Sequence, residues 1–169
     1  DGVTLFTHAA AVAPDEAPPR LHLGHALAAA GRLEEAARAY REALRLRPAS
    51  PEANSHLALV LARLGRTGEA TALFEAAIRL DPALADPHDG LGVLAAQAGD
   101  FERARDHFAA ARERAPDSAP IRVHLGLALL QLAEVDAARE ELRAAVALDP
   151  FSNEARAALD ALERGARSR

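Results

Sequence analysis

Five prolines, Pro14, Pro48, Pro82, Pro116 and Pro150, stand 34 residues apart along the chain. A fixed period of this length means one supersecondary unit used repeatedly, with the core formed by stacking each unit on its neighbours. Aligned on the prolines, the chain divides into four units at 17–50, 51–84, 85–118 and 119–152. Each holds two segments of about 14 residues with apolar positions at helical spacing. Between them lie Gly31-Arg32, Gly65-Arg66 and Gly99-Asp100, where glycine can take the left-handed conformation that ends a helix. Each unit therefore reads as a helical hairpin. Ser50, Ser118 and Ser152 stand where they can cap the next helix, with Pro51 and Pro120 just inside its start. Gly24, Ala36, Ala43 and their equivalents let helices approach closely, and Tyr40, Phe74 and Phe108 fill the space between hairpins.

The composition agrees with an all-α chain. Half of the 169 residues are apolar, enough for a sizeable core, but only 4% are aromatic. The net charge is -5, and no basic cluster of the kind that displaces counterions from a phosphate backbone occurs, so nucleic acid is not an expected partner. There is no cysteine, which removes disulfides and thiolate metal sites and leaves the compartment open between cytoplasm and periplasm. No apolar run reaches the roughly 18 residues needed to span a bilayer, and the first residues lack the basic start of a secretory signal. Direct membrane insertion by this segment is not expected.

The pattern resembles the tetratricopeptide repeat (TPR) family. Repeat positions 7 and 8 are Leu23-Gly24, Leu57-Ala58, Leu91-Gly92 and Leu125-Gly126. Position 20 is Ala36, Ala70, Ala104 and Ala138; position 24 is Tyr40, Phe74, Phe108 and Leu142; position 27 is Ala43, Ala77, Ala111 and Ala145. Two departures stand out. The usual aromatic at position 4 is replaced by Arg20, Asn54, His88 and Arg122, and the turn glycine becomes Ala133 in the last repeat. Both are expected to loosen packing between repeats without threatening the fold. The resemblance implies a right-handed α-α superhelix, a TPR solenoid of antiparallel helix hairpins.

The two ends differ. Counting back one period puts Phe6 at position 24, Ala9 at position 27 and Pro14 at position 32, so residues 1–16 read as a half repeat, the second helix only. Residue 1 is then an interior position of a longer solenoid or polypeptide, with an uncapped front through which self-association is possible. At the other end, residues 153–164 read as a capping helix, with Phe151, Ala155, Leu159 and Leu162 on one apolar stripe and Glu154, Arg156, Asp160, Glu163 and Arg164 on the opposite face, Arg156, Asp160 and Arg164 at i,i+4 spacing. Residues 165–169 read as a frayed tail.

In the family that the pattern resembles, first-helix positions 2, 5, 6, 9, 12 and 13 line the concave face. Here they offer a candidate peptide-binding groove of Leu21, His22, His25, Ser55, His56, Leu59, Asp89, Val93, Val123, His124 and Leu127. Leu59, Val93 and Leu127 would take apolar side chains of a bound segment, and the histidines would supply hydrogen bonds. Their ordinary pKa near 6.5 makes affinity for an acidic ligand rise as pH falls. The alternative is that these residues simply pack against neighbouring helices.

Other chemistries are less well supplied. His22 and His25 share a helix face at i,i+3, but further metal ligands would have to come from His56 and Glu52 across a helix spacing of roughly 8–10 Å, so no metal site is expected. His8 and His107 read as structural, and His88 as a packing residue. Ser55, His56 and Asp89 have no strained nucleophile turn or oxyanion hole beside them, and no glycine-rich phosphate loop occurs, so neither catalysis nor a cofactor is expected. The carboxylate clamp of the TPR modules that hold chaperone C-termini is absent, since its places are taken by Leu21, His25, His56, Asp86 and Gly90.

The stretch Val3-Thr4-Leu5-Phe6, His8-Ala9, Val12 and Pro14 looks like a junction in bacterial multi-span membrane proteins that resemble lipid-linked-sugar glycosyltransferases and carry a TPR tail after the last span. Three readings of function follow: a non-catalytic scaffold binding a protein or peptide partner in its groove, the accessory tail of such a membrane enzyme, and a self-assembling solenoid. The first two are compatible.

Overall fold

The computed structural model describes residues 2–167, which form ten α-helices and, among the described residues, no strand. They gather into two compact units, residues 2–83 and 84–167, divided at the end of the second repeat. The first unit contains α1 (Gly2–Val12), α2 (Ala17–Ala29), α3 (Leu33–Leu46), α4 (Pro51–Arg63) and α5 (Thr67–Leu80). The second contains α6 (Asp86–Gln97), α7 (Phe101–Arg114), α8 (Ala119–Gln131), α9 (Val135–Leu148) and α10 (Asn153–Arg167). In the first unit α2–α3 and α4–α5 are hairpins, and α3 packs on α4 to join them. α1 packs on α2 in the same way, the place that the second helix of a preceding repeat would take. In the second unit α6–α7 and α8–α9 are hairpins joined by α7 on α8, and α10 lies against α9 and α8. α10 runs on to Arg167, into the stretch expected to fray; residues 168–169 lie outside the described residues. Phe151, expected on the apolar stripe of this helix, instead lies in the turn before it and is exposed.

Helix ends follow from local chemistry. At each hairpin turn a backbone N–H reaches back to a carbonyl in the last turn of the first helix: Arg32 to Leu27, Arg66 to Leu61, Asp100 to Ala95 and Glu134 to Leu129, all at 2.9–3.0 Å. This closure needs a left-handed residue just before the donor. Gly31, Gly65 and Gly99 supply it at φ 75–79°, and Ala133 adopts it too, at φ 60°. The expected loss of the turn glycine has therefore not changed the turn; the alanine bears the strain. Of the three serines placed as caps, Ser50 accepts from the Ala53 N–H at 3.1 Å and Ser152 from Ala155 at 3.3 Å. Ser118 makes no such bond, and α8 begins instead with Pro120 in its first turn.

The core is made of small residues facing large ones. Ala36, Ala70, Ala104 and Ala138 are wholly buried, as are Phe74 and Leu142, with Tyr40 and Phe108 nearly so. A Cβ built at Gly24 would lie 2.5 Å from Tyr40 Cε1, and one at Gly92 would lie 2.5 Å from Phe108 Cε1. The rings thus rest directly on the backbone of the partner helix, which explains why position 8 stays small.

Three of the four polar residues at position 4 have hydrogen-bond partners nearby. Arg20 donates to the carbonyls of Ala13 and Glu16, and Asn54 Nδ2 donates to Ser50 O at 2.8 Å. Arg122 donates to Pro116 O at 2.9 Å and to Glu141 at 2.6 Å, while Arg112 reaches the other Glu141 oxygen at 2.6 Å. Glu141 is only 7% exposed, so the two guanidiniums offset the loss of its hydration. His88 is the exception: both its ring nitrogens are buried without a hydrogen-bond partner.

An L-residue in the left-handed region costs about 1 kcal/mol relative to glycine. Ala133→Gly should accordingly raise unfolding free energy by about that amount in a urea titration, and an unchanged or lower midpoint would show that the turn is not strained.

Candidate functional site

The histidine ladder is built on the aromatic column. Phe6 lies against His22 with ring centroids 5.3 Å apart, Tyr40 against His56 at 5.9 Å, and Phe108 against His124 at 5.2 Å. In each of these pairs position 24 of one repeat supports position 6 of the next. The rings fix where these imidazoles sit, a role the sequence reading offered only as the alternative to binding.

In the first unit, His25, Glu52 and His56 converge. The rings of His25 and His56 are 4.3 Å apart and nearly perpendicular, and Glu52 Oε1 lies 3.9 Å from His56 Nε2, one helical turn away on α4. One ligand atom from each of the three residues falls within 4.8 Å of the other two. No other group of three His, Asp or Glu donors converges in this way among the described residues. Burial, then the charge of His56, lowers the pKa of His25. Tyr40 stands against both rings, and its burial raises its phenol above the ordinary value. Leu21 and His22 line a small hollow of about 220 Å³ together with Glu52. Leu59 is exposed, while Ser55 is 5% exposed, so its hydroxyl is not presented to solvent.

In the second unit an open hollow of about 430 Å³ has apolar walls of Val93, Ala96, Phe101, Phe108, Leu127 and Ala128. Gln97, Gln131 and His124 supply the polar groups. The carboxylate of Asp89 accepts a hydrogen bond of 2.7 Å from His124 Nδ1, since an ionised carboxylate can only accept. That bond fixes the tautomer, raises the pKa of His124, and leaves Nε2 as the free end of the ring. It also engages Asp89, on α6, with His124, on α8. Val123, by contrast, is buried in a cluster with Ala145 and Ala155 and takes no part in a surface. The sequence reading named Val93, His124 and Leu127 but passed over Ala96, Gln97 and Gln131. Those fall at positions 12 and 13 of the same register, so the signal was present; Phe101, at the start of α7, carried none.

A larger hollow of about 500 Å³ in the first unit lies over α1, α2 and α3. Its rim carries Arg20, Arg32, Glu35, Arg38 and Glu42 and holds none of the expected groove residues. Arg32 and Glu35 pair there at 2.7 Å.

Runs of antiparallel helix hairpins, joined second helix to first helix with small residues at the crossings, define an all-α helical-repeat protein of the solenoid class. Family models described as TPR repeat, at residues 24–65, and tetratricopeptide repeat, at 51–84 and 90–153, match the sequence. The chain belongs to the tetratricopeptide repeat family. Among solved structures it is similar to YrrB, described as a TPR protein with an unusual peptide-binding site (TM-score 0.74, 22% identity, 97% of this chain and 84% of that one). It is similar also to Pseudomonas aeruginosa pilF (TM-score 0.84, 21% identity, 90% and 69%) and to TTC0263, a thermophilic TPR protein of Thermus thermophilus (TM-score 0.75, 28% identity, 88% and 82%). No curated protein sequence matches. Among the described residues no helix is long and apolar enough to cross a membrane.

The His124–Asp89 pair makes the second unit pH-sensitive in a defined direction. A histidine with a raised folded pKa adds stability that is complete below its unfolded value near 6.5 and is lost as pH rises through the folded value. His88, whose pKa is lowered by burial and by Arg114, acts in the opposite sense. Asp89→Asn removes the first effect and leaves the second. The stability gap between wild type and Asp89→Asn should thus be wider at about pH 5.5 than at about pH 9 in urea titrations; a gap independent of pH would show that the pair does not titrate as inferred.

Proposed function

We propose that the chain is a non-catalytic scaffold that binds a peptide segment of a protein partner, with the hollow of the second unit as the anchor. The observation that carries this reading is the combination of an apolar recess of about 430 Å³ with one imidazole held at its edge in a fixed tautomer. Such a recess takes an aliphatic or aromatic side chain next to His124 Nε2, which accepts from a backbone N–H when the ring is neutral and donates to a carbonyl or carboxylate when the ring is charged. The similarity to a TPR protein described as having a peptide-binding site supports the same reading. The accessory tail of a membrane glycosyltransferase-like enzyme would use the same surface and is compatible with it. Peptides selected from a random display library against the wild-type chain should lose at least tenfold in affinity for Val93→Glu with Leu127→Glu, about 1.4 kcal/mol or more. Helical circular dichroism should be unchanged; retained affinity would overturn the assignment of the hollow.

A second reading is favoured by α1, which has no buried residue and leaves Leu5 62% and Val12 70% exposed. We infer that this face supports end-to-end association of chains. Sedimentation should then show a concentration-dependent dimer that Leu5→Glu with Val12→Glu abolishes, and a monomer throughout would exclude it.

A further inference from the structure

We infer that the first unit holds a divalent transition ion of the zinc type between His25 on α2 and Glu52 and His56 on α4. The argument starts from donor chemistry. Two imidazoles and a carboxylate form a nitrogen-rich set suited to zinc, cobalt or nickel and poorly suited to calcium or magnesium, which demand oxygen. Tetrahedral zinc, bonded to nitrogen and oxygen at about 2.0–2.2 Å, places its ligand atoms about 3.4 Å apart. The three donors already lie within 4.8 Å of one another, so small side-chain rotations close the site without moving a helix.

Independent of that spacing, the Nε2 of His25 is buried and has no hydrogen-bond partner. A buried ring nitrogen in that condition loses hydration and receives nothing in exchange, and a metal bond supplies what is missing. His88 is the useful contrast. Both its nitrogens are also unpartnered and His107 lies 5.9 Å away, but they belong to no converging donor group. Preorganisation comes from the scaffold: Glu52 and His56 are one turn apart on one helix, and Tyr40 stacks on His56 and meets His25 edge-on, which limits ring rotation. Access is open, since the Glu52 side chain is 59% exposed. The remaining coordination position would be filled by water or by a donor from a bound partner.

The test uses the full chain, with Zn²⁺ in calorimetry and Co²⁺ in visible absorption. One Zn²⁺ per chain should bind at micromolar concentration, and Co²⁺ should give the ligand-field bands of a four-coordinate site. Glu52→Gln, a conservative change at an exposed side chain, should weaken both at least tenfold, and His56→Gln should do the same. His107→Gln should leave them unchanged, as should Val93→Glu with Leu127→Glu, which separates this site from the proposed peptide anchor. Absence of saturable binding, or equal affinity in wild type and Glu52→Gln with His56→Gln at unchanged circular dichroism, would overturn the inference.

Discussion

Everything in each unit depends on how closely two helices of a hairpin approach. That distance is set by a small residue on the first helix and a ring or leucine on the second: Tyr40 and Phe108 press on the backbone at Gly24 and Gly92, and on the same second helices Ala36, Ala70, Ala104 and Ala138 have no exposed surface. Close packing leaves no room for a methyl group at those glycines without displacement of the ring. The large side chain is held so firmly that it serves as a platform on its far side, where it supports an imidazole of the next repeat.

Much of this was legible in the period of 34 residues. Helix boundaries, hairpin turns and buried small residues all recur, and recurrence turns a weak local preference into a strong signal. What was hidden concerns single substitutions within the pattern. Arg122 at position 4 reads as lost packing until Glu141 and Pro116 are seen beside it, because a partner 19 residues away is invisible to a register count. Ala133 reads as a missing glycine, yet the hydrogen bond from Glu134 to Leu129 keeps the turn. Ser55 and Val123 were read as groove residues from their positions, but both are buried.

The histidines show the same limit most clearly. As a ladder on one face they look alike, but their surroundings give them different chemistry. His124 has a carboxylate at 2.7 Å and gains proton affinity, whereas His25 is buried beside another imidazole and loses it. Identical residues in a repeat protein thus acquire separate properties from two or three neighbours each.

The support of each position-6 imidazole by the preceding position-24 ring also bears on how such chains can be recombined. Phe6 with His22, Tyr40 with His56 and Phe108 with His124 are pairs that straddle a repeat boundary. Shuffling 34-residue blocks at the prolines would part each surface residue from the ring that orients it. The transferable module in this chain is instead the second helix of one repeat with the first helix of the next, cut at the hairpin turns, and a graft made there carries its surface chemistry with it.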